Sequence, residues 1–350
     1  MTTYENITTG ILSKPKHWLV TGVAGFIGSH LLEQLLLLDQ QVTGLDNFST
    51  GKRENLAEVK SIVSGQQWQR FNLIEGDIRH HDTCKAACNG AAVVLHQAAL
   101  GSVPRSIDDP LNCNENNVCG NLNMLKAACD NGVKRMVFAS SSAVYGDDPG
   151  LPKVEGICGQ QLSPYAVSKM VNELYANVFS RLYGLETVGL RYFNVFGPRQ
   201  DPEGAYAAVI PHWISSLRNG EKVYINGTGE TSRDFCYVGN VVQANLLAAL
   251  TNNKTAINQV YNVALNVRIT LNELYSLLQK MMLPYCSQVK EYHPFYRDFR
   301  TGDVLHSQAD ISKARELLGY EPAYSAEEGL EATMGWYMSK LPRKDKAPTP

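Results

Sequence analysis

The feature that most constrains this chain is Gly22-Val23-Ala24-Gly25-Phe26-Ile27-Gly28, together with what flanks it. The apolar run Trp18-Leu19-Val20 precedes it, and a stretch with Leu31, Leu32, Leu35 and Leu38 at helical spacing follows. Glycines alone mark ordinary turns; at this spacing between a strand and a helix they point to a dinucleotide-binding turn. They permit a tight bend, let a ligand approach the backbone, and seat its phosphates at the positive end of the helix. The rhythm continues through the first half. Val42 to Leu45, Phe71 to Glu75, Val93 to Leu95, Arg135 to Ala139 and Glu186 to Arg191 read as strands, with helices over about Leu122 to Cys129 and Tyr165 to Tyr183. Near-continuous apolar strands alternating with helices predict a parallel sheet buried on both faces, a doubly wound α/β fold.

The second half changes character. From Tyr192 to Phe235 the chain is rich in Gly, Pro and Asn, with a helix expected over Ala207 to Leu217 and a strand over Lys222 to Ile225. Val241 to Leu250 reads as a helix, Gln259 to Ala264 as a strand, and the remainder to Met338 as helix with loops. The pattern predicts a nucleotide-binding domain from 1–191 plus 238–266, a smaller α/β substrate-binding lobe from 192–237 plus 267–341, and a frayed tail over 342–350. The lobe is expected on the carboxyl edge of the sheet, where such folds bind ligands.

Length and charge bound the function. At 350 residues, 44% hydrophobic and 19% charged, the chain is large enough for two cores and too apolar for disorder. Lys and Arg total 32 against 34 Asp and Glu, which gives no electrostatic case for nucleic acid or an anionic membrane. Any anion site must then be local. Eight Cys include no C-x-x-C, and no His pairs with them at zinc-finger spacing, so reduced thiols and no metal site are expected. The N-terminus lacks a basic region followed by an apolar core, and Leu31 to Leu38 is far shorter than the ~20 residues of a membrane span. A cytoplasmic protein is expected.

Two sites emerge from the residues. Asp46 closes the second strand, where a carboxylate accepts hydrogen bonds from ribose hydroxyls and repels a 2′-phosphate, favouring NAD over NADP. Lys52 and Arg53 nearby read as solvated loop charges. Further on, Tyr165-Ala-Val-Ser-Lys169 places a phenol and an ammonium at i and i+4 on one helix face. A free phenol has a pKa near 10; a neighbouring ammonium is expected to lower it, about 4 kcal/mol for a shift of roughly three units. Ser140-Ser141-Ser142 follows a strand and offers a hydroxyl at the same edge to share a substrate proton with Tyr165.

These segments, with Gly76-Asp-Ile-Arg79, His96-Gln-Ala-Ala99, Ser140 to Gly146 and Arg191 to Gly197, resemble the extended short-chain dehydrogenase/reductase family over about Lys16 to Met338. The runs Leu95 to Arg105 and Tyr224 to Phe235 are most similar to bacterial UDP-N-acetylglucosamine 4-epimerases of surface-polysaccharide pathways. The resemblance implies a Rossmann sheet holding NAD tightly through Gly22, Gly25, Phe26, Ile27, Gly28, Asp46, Asn47, Ser49, Gly51, Gln97 and Ala98, with Asp77 and Ile78 flanking the adenine. Tyr165 is then the base, Lys169 its activator and a ribose contact, and Ser141 the hydroxyl partner. Asn194, Arg233, Arg300 and Asp303 match positions holding the UDP half; planar arginine forks suit a pyrophosphate. Ser102, Ser142, Ala208, Val209, Tyr224, Asn226 and Ser307 complete the expected substrate contacts. A homodimer is implied, formed through helices around Leu111 to Cys129 and Tyr165 to Arg181.

Relatives that dehydrate or decarboxylate nucleotide sugars carry an extra acid beside the serine, where this chain has Ser142 and Ala143. Elimination therefore lacks its acid, and 4-epimerisation remains. In Gly302 to Ser307, epimerases restricted to glucose and galactose carry a bulky aromatic in place of Ser307, so room for an N-acetyl group is expected. The chain departs from the group at Ala143-Val144 and at Leu305, both of which bear on the sugar. The alternatives are a 4-epimerase of UDP-N-acetylglucosaminuronic acid, a nucleotide-sugar dehydrogenase or reductase that releases its cofactor, and an NAD-sensing module without chemistry. The intact Tyr165–Lys169 pair speaks against the last.

Overall fold

The computed structural model describes residues 3–203, 207–299 and 305–340. Its strands are β1 (His17–Thr21), β2 (Gln41–Asp46), β3 (Phe71–Glu75), β4 (Val93–His96), β5 (Arg135–Ser141), β6 (Glu186–Tyr192), β7 (Val195–Phe196), β8 (Tyr224–Asn226), β9 (Ser232–Arg233), β10 (Cys236–Tyr237), β11 (Gln259–Val263), β12 (Ile269–Thr270) and β13 (Phe295–Arg297). Seven form one parallel sheet in the order β11-β6-β5-β4-β1-β2-β3. Chain order reverses between β1 and β4, which opens a crevice over their carboxyl ends. Register aligns that edge: Thr21 pairs with both Leu45 and His96, so the segments starting at Gly22, Asp46 and Gln97 leave the sheet side by side. β5 runs on past β4, pairing Ser141 with Tyr192, and so carries its last serine out over the crevice.

The apolar strands are covered on both sides. One core cluster joins Trp18, Val20, Leu31, Leu35 and Leu95 to the helix Val238–Leu250; the other joins Leu19, Leu45, Val94, Met136 and Phe138 to the helices His81–Cys88 and Gly120–Asp130. A third cluster lies apart, around Trp213, Leu217, Ile225, Leu274, Leu278 and Tyr337, with the two-stranded pairs β9–β12 and β8–β13 beside it. The predicted lobe does not map onto it whole. Ala309, Ile311, Ala314, Leu318 and Tyr320 pack into the first sheet cluster, so the chain returns to the sheet before its final helix Ala326–Lys340.

Other differences are local. The first described segment forms a helix, Thr3–Ser13, that buries Ile11, an element the sequence did not suggest. The helix expected to Cys129 begins at Pro110 and contains a π turn at Glu115–Cys119. The serine triplet does not follow the strand whole: Ser140 and Ser141 belong to β5, and Ser142–Tyr145 form a 3₁₀ turn capped by Ser141 Oγ, which accepts from Ala143 N at 3.1 Å. No helix among the described residues is long and apolar enough to cross a membrane.

Candidate active site

A cleft of about 1120 Å³ runs along the carboxyl edge of the sheet. At one end lies the glycine turn. Gly22 adopts φ +67°, a conformation that disfavours any side chain, and its carbonyl accepts from Gly25 N at 3.0 Å. A Cβ on Gly28 would lie 2.0 Å from that carbonyl oxygen, so the helix Phe26–Leu37 starts hard against the turn only because position 28 is glycine. Gly25 caps this helix without any side-chain hydrogen bond, which leaves its first N–H groups directed into the cleft region for an anion.

Asp46 is held by two backbone donors, Ala24 N and Phe48 N, each at 2.8 Å, and burial raises its pKa from the ordinary value. Gly51 approaches it so closely that a Cβ would sit 2.8 Å from Asp46 Oδ1. Both nearby cations are paired with carboxylates: Arg53 with Glu75 at 2.7 Å and Lys52 with Asp201 at 2.8 Å. Neither is held out for a 2′-phosphate. An unencumbered helix terminus, a glycine cradle and a buried carboxylate on β2 fit NAD.

The cleft brings together most of the cofactor positions expected from the sequence: Gly22, Gly25, Phe26, Ile27, Gly28, Asp46, Asn47, Ser49, Gly51, Ile78, Gln97 and Ala98. Asp77 is not among its lining residues. It accepts from Arg79 Nη2 at 2.8 Å and from Asn47 Nδ2 at 2.9 Å, which holds its carboxyl far below the usual range and braces the segment carrying Ile78.

At the cleft's centre the helix Pro164–Tyr183 supplies Tyr165 and Lys169. Ser163 caps it, accepting from Ala166 N at 3.1 Å, and Pro164 takes the first-turn position where its missing N–H costs nothing. Ser141 is near enough to the Tyr165 phenol to act on its acidity. Ser140 is committed elsewhere, donating to Glu173 Oε1 at 2.5 Å beside the buried Arg191–Glu173 pair. Lys169 Nζ donates to the Ala139 carbonyl at 2.9 Å and lies 5.8 Å from the Tyr165 ring centre. The expected depression of the phenol by Lys169 is therefore corrected. Burial pushes the Tyr165 phenol up, the nearby Ser141 hydroxyl opposes it, and Lys169, turned to a backbone carbonyl, is not among the groups that lower it. Burial in turn pushes the Lys169 ammonium down to about 8.

The far end is made of side chains. Asn194, at φ +32°, donates to the Asp234 carbonyl at 3.0 Å; Arg233 Nη1 donates to the carbonyls of Ser232 at 3.0 Å and Leu305 at 3.2 Å. Both line the cleft with Ser142 and Ser307, and Ser307 N donates to Ser232 O at 3.0 Å. Several expected contacts are not brought to it. Ser102 caps the helix Val103–Asp108 through Arg105 N at 3.2 Å, while its neighbours Gly101 and Val103 line the cleft. Ala208 and Val209 begin the helix Val209–Asn219, and Ala207 faces the cleft instead. Tyr224 is 44% exposed on β8, and Asn226 Oδ1 accepts from Arg297 Nε at 2.6 Å; neither lines the cleft. Arg300 and Asp303 lie outside the described residues. Lys153, Tyr192 and Gln200 line the cleft but were not singled out from the sequence. Tyr192 carried a signal, since it directly follows a predicted strand at the ligand edge; Lys153 and Gln200 lie in loops without one.

A family model described as the NAD dependent epimerase/dehydratase family matches residues 18–264. A putative UDP-glucose 4-epimerase of Methanocaldococcus jannaschii is 36% identical over 320 residues, 91% of this chain and 97% of the relative. Among solved structures, a UDP-N-acetylglucosamine 4-epimerase from Methanobrevibacter ruminantium in complex with UDP-N-acetylmuramic acid aligns with TM-score 0.85 at 40% identity, covering 94% of this chain and all 100% of that one. A variant of the UDP-glucuronic acid 4-epimerase of Bacillus cereus, bound to NAD and a 4-deoxy-4-fluoro substrate analogue, aligns with TM-score 0.81 at 30% identity, covering 92% and 99%.

Proposed function

The chain belongs to the NAD-dependent epimerase/dehydratase family, and from that membership we propose that it interconverts UDP-N-acetylglucosamine and UDP-N-acetylgalactosamine by epimerisation at C4. Nucleotide-sugar 4-epimerisation is common to the relatives named above; the N-acetylated sugar is our own assignment. The observation that carries it is Ser307, a small hydroxyl residue on the wall of the cleft that also holds Ser141 and Tyr165. It leaves room for an acetamido group and a donor for its carbonyl.

NAD, when bound, supplies the two-electron acceptor that takes hydride from C4 and returns it. The chain's own residues manage the proton and the pose. Tyr165, as phenolate, takes the C4 hydroxyl proton through a hydrogen bond shared with Ser141, and gives it back once the keto sugar has presented its other face. Burial raises the Tyr165 phenol and lowers Lys169, so the phenolate needs further help; the hydroxyl of Ser141 and the positive nicotinamide ring, when bound, would stabilise it. Arg233 and Asn194 hold the UDP half while the hexose turns. Among the described residues the carboxylates lining the cleft are Asp46 and Asp108, and positions 142 and 143 offer none, so the acid needed for dehydration or decarboxylation is missing.

The deciding experiment incubates the purified protein, without added cofactor, with UDP-N-acetylglucosamine, UDP-glucose and UDP-N-acetylglucosaminuronic acid, and follows the 4-epimer by proton NMR. Fastest turnover of the first is expected; silence with all three ends the epimerase proposal, and faster turnover of the uronic acid transfers it to that sugar. A dehydrogenase would instead consume external NAD.

A homodimer belongs to the same proposal. Leu174, Val178 and Leu182 repeat every fourth residue on the Pro164–Tyr183 helix with exposures of 60%, 38% and 72%, and Leu111, at 77%, lies on the adjoining helical stretch. An apolar stripe of this kind on two neighbouring helices fits the same stripe on a second copy. Light scattering should give twice the chain mass, and Leu174→Glu with Leu182→Glu should return the monomer.

A further inference from the structure

Beneath the cleft, three side chains from distant parts of the chain close a ring of hydrogen bonds. The Tyr192 hydroxyl, at the end of β6, donates to Gln97 Oε1 at 3.0 Å. Gln97 Nε2, one residue beyond β4, donates to Asn245 Oδ1 at 3.1 Å. Asn245 Nδ2, within the helix Val238–Leu250, donates back to the Tyr192 oxygen at 2.9 Å. Every member thus gives one bond and takes one, an arrangement in which each bond polarises the next.

The direction of the ring is set from outside it. Asn245 Nδ2 also donates to the Val241 carbonyl at 2.8 Å, and a backbone carbonyl can only accept. That bond fixes which Asn245 atom turns to Gln97, hence which Gln97 atom turns to Tyr192, and hence that the phenol is the donor. Asn245 is completely buried, Tyr192 is 8% exposed, and burial drives the Tyr192 phenol well above its ordinary pKa, so it keeps its proton at any working pH. Gln97 and Tyr192 line the same cleft as Ser141, Tyr165 and Lys169.

We infer that Tyr192 and Asn245 are positioning residues that lock the Gln97 side-chain amide in one orientation on the floor of the NAD site. A primary amide has two N–H donors and a carbonyl with two lone pairs. The ring uses one of each, and the remaining N–H and lone pair are held ready, in fixed places, for the polar edge of the dinucleotide. An untethered glutamine would spend half its time presenting the opposite pattern. The ring crosses the sheet on one face, tying the ends of β4 and β6 to a buried helix, and so gives the cofactor floor a rigidity that the loops alone lack.

The inference rests on the cleft being the NAD site of this family, and not on which sugar is turned over. Its test is the release of NAD from the loaded protein in the absence of any sugar, followed by enzymatic capture of the freed nucleotide. The proteins compared are wild type, Tyr192→Phe, Gln97→Leu and the double variant. Tyr192→Phe keeps the aromatic volume and removes the hydroxyl; it should release NAD about five- to tenfold faster, the effect of one lost oriented hydrogen bond. Because Tyr192 acts through Gln97, the double variant should release NAD within about twofold of Gln97→Leu alone. Release from Tyr192→Phe at the wild-type rate would overturn the inference. So would full multiplication of the two single effects, or a lowered thermal midpoint of the NAD-free protein with release unchanged, since either marks a mere structural brace. A protein that turns over no sugar at all would still give a definite answer.

Discussion

The two ends of the cleft are built by different means. At the end with the glycine turn the surface is largely backbone: a glycine at φ +67°, uncapped helix N–H groups and an aspartate held by two main-chain donors, all aligned by strand register. At the other end the surface is side chains such as Asn194, Arg233 and Ser307, carried on the two-residue strand Ser232–Arg233 and on loops that meet it through single hydrogen bonds such as Ser307 N to Ser232 O. A backbone site tolerates almost no substitution and reads a ligand common to many enzymes. A side-chain site can be re-specified residue by residue, which is why relatives named for glucose, N-acetylglucosamine and glucuronic acid all align along nearly the whole chain.

The comparison can be broken or sharpened by substitution. The largest effect belongs to neither end: Tyr165→Phe removes the proton carrier at the centre, and kcat should fall by about 10³ with the thermal transition unchanged. A drop smaller than tenfold would displace Tyr165 from that role. At the backbone end, Gly28→Ala forces a Cβ to within 2.0 Å of the Gly22 carbonyl. The protein should lose its bound NAD, read as nucleotide released on denaturation, and several kcal/mol of stability. Wild-type NAD content in this variant would show that the turn yields. At the side-chain end the response should be graded. Arg233→Ala should raise KM for the UDP-sugar about 10- to 100-fold with kcat nearly kept, as expected of uniform binding by a charged fork. Ser307→Tyr should cost N-acetylated substrates about tenfold in kcat/KM and spare UDP-glucose; equal losses would remove Ser307 from the sugar pocket.

The smallest effect is on stability. Lys169 is buried with its pKa lowered to about 8 from an ordinary 10.5. The unfolded chain then binds this proton more tightly than the folded one. The resulting cost to stability is fully present below pH 8 and is relieved as pH rises from 8 to 10.5. Lys169→Met should therefore be inactive yet about 1–2 kcal/mol more stable at pH 7, by chemical denaturation, with the gain shrinking toward pH 10.

The sheet was legible because its strands are apolar on both faces. Phe71–Glu75 matches the expectation to the residue, and Glu186–Tyr192 runs one residue further. The glycine turn, Asp46, and the Tyr165–Lys169 spacing were legible for the same reason: each is a local pattern whose chemistry depends on near neighbours. The strands Val195–Phe196, Ser232–Arg233, Cys236–Tyr237 and Ile269–Thr270 were not, since two residues carry no periodicity and exist only through their partners. The same limit explains why Ala208, Tyr224 and Ser102 did not arrive at the cleft while Ala207 and Gly101 did. A shift of one residue is invisible in composition but decides which side chain faces inward.

Sequence by itself determined the class of fold, the glycine turn and the placement of Tyr165 and Lys169 on one helix face, because short-range sterics and helical spacing fix them wherever the chain goes. Tertiary structure supplied the physical reason that Ser141, of three adjacent serines, is the one beside the phenol. Ser140 is claimed by Glu173 and Ser142 leads the 3₁₀ turn, leaving Ser141 beside Tyr165. It also set the protonation of the site, because burial acts on a group only after distant segments have closed around it. And it joined residues 97, 192 and 245 into one hydrogen-bonded ring, a contact between strand ends and a helix that no local pattern encodes.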